Sequence, residues 1–61
     1  MSAVMQKVLE GLAQLRRETA SAMEAQLEAE PERNLPGTYL IQQLADIEVC
    51  ISAVKAVLEE G

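Results

Sequence analysis

The sequence predicts an all-α protein: an antiparallel two-helix hairpin that assembles into a four-helix bundle. Three observations carry that expectation. Apolar residues recur at three-four spacing through two long segments. The two segments are separated by one short stretch holding both prolines. The chain, at 61 residues, is short enough that a lone core needs a staple or a partner.

The first segment runs from Ser2. Met5, Val8, Leu12, Leu15, Thr19, Ala22 and Gln26 recur at alternating steps of three and four, and Leu9, Met23 and Leu27 widen the same stripe. Ser2 is suited to cap this helix, although no Glu or Gln follows three residues later to complete a capping box. Gly11 weakens the interior by about 1 kcal/mol, which a helix of this length tolerates. Toward its end, "TASAMEAQLEAE" offers helix propensity but little apolar bulk. Glu24, Glu28 and Glu30 gather at the negative pole there, so the last turn is expected to fray. Pro31 disfavours helical geometry at Glu30 and places the stop near Ala29 or Glu30.

The connection, "EAEPERNLPGTYL", also holds the only aromatic residue, Tyr39. A flexible tether would be richer in Gly and Ser, so this stretch reads as the turn of a hairpin. Leu35, in its middle, is expected to cap the end of the hydrophobic core.

The second segment has the cleaner pattern. Leu40, Leu44, Ile47, Ile51, Val54 and Leu58 step by four, three, four, three and four, as the a and d positions of a coiled coil do. Its start has two readings, with Pro36 as the first helical residue or Thr38 as the cap of a helix beginning at Tyr39. The expected layout is one domain over 1–61, with helices near 2–29 and 38–60 and a turn near 30–37.

The second helix carries more apolar surface than its seam uses. At about 100° per residue, Cys50, Ala53 and Val57 form a flank beside the seam, with Val49 and Ala56 farther round. Scattered small apolar groups facing water are one reading; a contiguous flank on so small a domain favours an interface. Arg16 falls inside the apolar stripe of the first helix. It either lays its stem on the core and extends its charge outward, or pairs with a carboxylate. Asp46 and Glu48 are candidates within the chain, and an acid on a second protein is the functional version. The residues expected to bind a partner are therefore Arg16, Val49, Cys50, Ala53 and Val57.

Composition removes most chemistry. With one cysteine and no histidine, neither an intrachain disulfide nor a Cys/His zinc site can be built. Cys50 reads as a small buried side chain; an interchain disulfide or a reactive thiol is the sharper alternative, and no His or Lys shares its helical face to support thiolate chemistry. Glu24 and Glu28 read as a solvated pair. There is no nucleophile-base constellation and no glycine-rich phosphate loop, and two helices offer little concavity. No catalysis, cofactor, metal or small-molecule substrate is expected.

Ten acids against five bases give a net charge of -5, which disfavours nucleic acid; Arg16 and Arg17 are the only adjacent bases. The most apolar stretch, Val49 to Leu58, is broken by Ser52 and Lys55 and is far short of the ~20 residues that span a bilayer. The start, Met-Ser-Ala-Val-Met-Gln-Lys, lacks the pattern of a secretory signal. The expectation is a cytoplasmic protein that binds neither membrane nor nucleic acid.

The run "LAQLRRE", Leu12 to Glu18, followed by a turn and by "IEVCISAV", Ile47 to Val54, resembles the small cytoplasmic E-component co-chaperones of type III secretion needle subunits. Tyr39, just after the turn, fits the same pattern. The resemblance implies a non-catalytic hairpin that, with a larger chaperone, keeps an aggregation-prone needle subunit monomeric before export. The partner expected from the residues themselves is a second copy of the chain or another helical protein.

Overall fold

The computed structural model describes residues 3–60, so the expected Ser2 cap lies outside the described residues. Two helices, α1 (Ala3–Ala29) and α2 (Thr38–Glu60), pack against each other as a hairpin, and no strand occurs among the described residues. The molecule is a rod measuring 47 × 15 × 13 Å. Side-chain bonds set the antiparallel register: Gln26 meets Tyr39, Thr19 meets Gln43, and Arg16 meets Glu48. That register brings Leu12 to about the level of Ile51.

The seam of α2 is the one its spacing predicts. Leu40, Ile47 and Ile51 are buried, and Leu44, Val54 and Leu58 are half-buried. In α1 the inward face differs from the expected one. Val8 and Leu15 are exposed, whereas Met5, Leu9, Leu12, Met23 and Leu27 are half-buried and Thr19 is fully buried. Two series with three-four spacing share Met5, Leu12, Thr19 and Gln26. The helix turns to the one containing Leu9, Arg16 and Met23, because its orientation follows the sum of its apolar groups rather than a single series. The rotation leaves Val8 and Leu15 on one flank.

Pro31 ends α1 where expected: Glu30 N–H still donates to the Gln26 carbonyl at 3.1 Å, and Arg33 N–H then bonds the Glu30 carbonyl at 2.9 Å to bend the chain. The Arg33 guanidinium reinforces that bend by pairing with the Glu30 carboxylate at 3.0 Å. α2 neither begins at Pro36 nor is capped by Thr38; it starts at Thr38 itself. The Gly37 carbonyl accepts the first helical bonds, from Leu40 N–H at 3.0 Å and Ile41 N–H at 3.3 Å.

Gln26, one helix away, completes this cap. Its Oε1 accepts the Gly37 N–H at 2.6 Å and its Nε2 donates to the Tyr39 hydroxyl at 3.0 Å. The Tyr39 ring lies so close to Gly37 that a Cβ there would sit 2.8 Å from Cε1, so a larger residue requires the ring to shift. This clasp closes the turn end of the core, the place expected for Leu35. Leu35 itself is 66% exposed, because the two prolines and the clasp fix the backbone on either side of it.

Candidate interaction face

Each helix has a seam and two flanks, and at about 100° per residue the flanks are easily assigned. On one side of the hairpin lie Val4, Val8, Leu15 and Ala22 of α1, together with Tyr39, Gln43, Cys50 and Val57 of α2. Val8, Leu15 and Ala22 are spaced by seven residues, as are Gln43, Cys50 and Val57, so each set runs parallel to its seam. The other side carries Ala13, Ala20 and Leu27 opposite Ile41, Glu48 and Lys55. The two sides have opposite character.

The first side is apolar and open. Val4, Val8, Leu15, Tyr39 and Val57 all stand exposed on it, leaving only Leu35, Ile41 and Val49 as large exposed apolar groups elsewhere among the described residues. Between the helices on this side runs an open groove of about 540 Å³, walled by Leu12, Leu15, Ile47, Cys50 and the Tyr39 ring, with Asp46 among its polar residues. Of the ten acids and five bases, only Glu18, at the outer edge, and Asp46, which lines the groove, approach this face. Each is held by a glutamine one turn earlier on its own helix, Gln14 to Glu18 at 3.0 Å and Gln42 to Asp46 at 3.1 Å.

Of the residues expected to bind a partner, the structure gathers Cys50 and Val57 on this face, with Ala53 at its outer edge. Cys50 is exposed, not buried as its residue type suggested, because it flanks the seam and the hairpin has no second layer to cover it. Val49 is separated from the others. It points directly away from the seam and is 69% exposed. Arg16 belongs to the opposite side: its guanidinium donates to the Glu48 carboxylate at 3.1 Å, with the two side chains 48% and 53% exposed. So the arginine pairs within the chain, and the pair is too solvated to contribute more than about 1 kcal/mol.

Val8, Leu15 and Tyr39 belong to the face and were not among the expected binding residues. The seven-residue spacing of Val8 and Leu15 is visible in the sequence, where it is indistinguishable from part of the core stripe. Among the described residues, no group of three or more His, Cys, Asp or Glu is placed to hold a metal, and no helix is long and apolar enough to cross a membrane. Neither a family model, nor a curated protein, nor a solved structure matches this chain.

Proposed function

We propose that this hairpin is a non-catalytic protein-protein interaction module that acts as a homodimeric four-helix bundle with a structural or regulatory role. The observation that carries the reading is the thinness of the core. Only Leu40, Ile47 and Ile51 are buried apolar side chains among the described residues, while eight large apolar side chains stand exposed. At ~25 cal/mol per Å² of apolar area, so small a core does not offset the ordering of about sixty residues, and no described group replaces it with a disulfide or a metal cluster. A second pair of helices supplies the missing burial. The exposed free thiol of Cys50 suits a reducing compartment, which supports a cytoplasmic setting.

Thermal unfolding followed by circular dichroism over a hundredfold range of protein concentration tests this reading. A homodimer melts at a temperature that rises with concentration, by mass action. A cooperative transition at one fixed temperature across the range would contradict it.

A further inference from the structure

Resting on that reading, we propose that the second copy docks on the face formed by Val8 and Leu15 of α1 and Tyr39, Cys50 and Val57 of α2, covering the groove between the helices. Four observations select this face and this occupant.

The first is composition. The face gathers five of the eight large exposed apolar side chains, while its charged groups are limited to Glu18 at the outer edge and Asp46, which lines the groove and is held by Gln42. An apolar centre depleted of charge is what distinguishes the middle of an interface from ordinary surface. The opposite side carries Glu48 and Lys55 on α2, and Arg16 reaches across to it.

The second is size. The hairpin exposes 4455 Å² in all, so covering this one side on each of two copies, about a fifth of that surface, reaches the roughly 1,600 Å² of a stable pair. A second hairpin matches the strip in length.

The third is shape. Gly11, beside Val8 and Leu15, has nothing within 4 Å of the position a Cβ would take, and Ala22 and Cys50 are small, so a facing helix can approach closely. The groove takes side chains from that helix as holes take knobs.

The fourth is closure. A two-fold contact between identical faces hides the apolar strip on both copies at once and leaves no second sticky surface. Basic residues are absent from the face, so no acidic partner is favoured over the chain itself.

Two measurements test the assignment together. In the first, Leu15→Glu and Val57→Glu are compared by light scattering with Ile41→Glu and Val49→Glu, which lie on the opposite side and the outer surface. In the second, the alkylation rate of the single cysteine, Cys50, by N-ethylmaleimide is followed in the unmodified protein as its concentration is raised through the association range. The proposal expects Leu15→Glu and Val57→Glu to halve the mass while the other two keep the mass of the parent. It also expects the thiol to react at least tenfold more slowly in the associated state. Because the thiol measurement uses the unmutated chain, a variant that fails to fold does not blunt the test.

A dimeric parent whose Cys50 reacts equally fast at all concentrations would overturn the face. So would one dissociated by Ile41→Glu or Val49→Glu but not by Leu15→Glu and Val57→Glu. In either case the homodimer reading itself would stand. A folded parent that stays monomeric at all concentrations would overturn both, leaving the face to a different helical chain.

Discussion

The hydroxyl of Thr19 accepts a hydrogen bond from the side-chain amide of Gln43 at 2.8 Å, tying the middle of α1 to α2. The same hydroxyl donates to the Leu15 carbonyl one turn back, also at 2.8 Å, and the threonine is only 2% exposed. A polar residue thus occupies the most buried position of α1, with both of its bonding roles satisfied.

A double-mutant cycle on this pair has a defined expected outcome. Thr19→Val keeps the branched shape and frees an amide that can turn to water, since Gln43 is exposed. The single change should therefore alter stability by no more than about 1 kcal/mol. Thr19→Val and Gln43→Ala should couple by about 0.5–1.5 kcal/mol in chemical denaturation. Strict additivity would show that the bond contributes nothing to folding.

The clasp at the turn is more sensitive. Gln26→Ala removes both the acceptor for Gly37 N–H and the donor to the Tyr39 hydroxyl. It should destabilise the hairpin by about 1–2 kcal/mol, because the Gly37 amide is partly buried. Gln26→Glu keeps acceptors for both partners and puts negative charge at the start of α2. It should equal or exceed the parent near pH 7 and lose that advantage as pH falls below the ordinary carboxylate range. Equal stability of Gln26→Ala and the parent by denaturant titration would remove the clasp from the account.

The Arg16–Glu48 pair should be nearly dispensable. Both side chains are about half exposed, so Glu48→Gln should change stability by no more than about 0.5–1 kcal/mol, and less in high salt. Arg16→Leu removes the solvated pair and adds apolar area along the seam of α1 between Leu12 and Thr19, so it should change stability by no more than about 1 kcal/mol. A loss of several kcal/mol in either variant would mean that the arginine has a structural task beyond this pair.

Association should strengthen with salt. Each copy carries a net charge of -5, so pairing two of them brings together like charge that ions screen. Raising sodium chloride from 10 to 150 mM should tighten the dimer several-fold on the usual screening length of about 8 Å. Weakening over that range, read by sedimentation equilibrium, would indicate that attractive ion pairs join the copies instead.

Much of the hairpin was legible because its punctuation is local. Pro31 halts α1 at Ala29, and six apolar residues with unambiguous spacing define the inward side of α2. The inward side of α1 was harder to read, since Thr19 interrupts both series, Arg16 interrupts the one that packs inward, and Val8 and Leu15 fit the one that does not. The same ambiguity concealed half of the candidate face: residues assigned to the core could not also be assigned to a partner. The Gln26 clasp was out of reach for a different reason. It joins residues eleven and thirteen positions apart across a turn, and no pattern of spacing reveals a side-chain amide that caps another helix.

The central claim is that the thin core of this hairpin is completed by a second copy, and the solution mass of the unmodified protein tests it most directly. Light scattering at about 100 µM should give twice the 6.6 kDa of the chain, with dissociation on dilution, as expected for an interface of standard size. A stably folded species of 6.6 kDa at that concentration would contradict it.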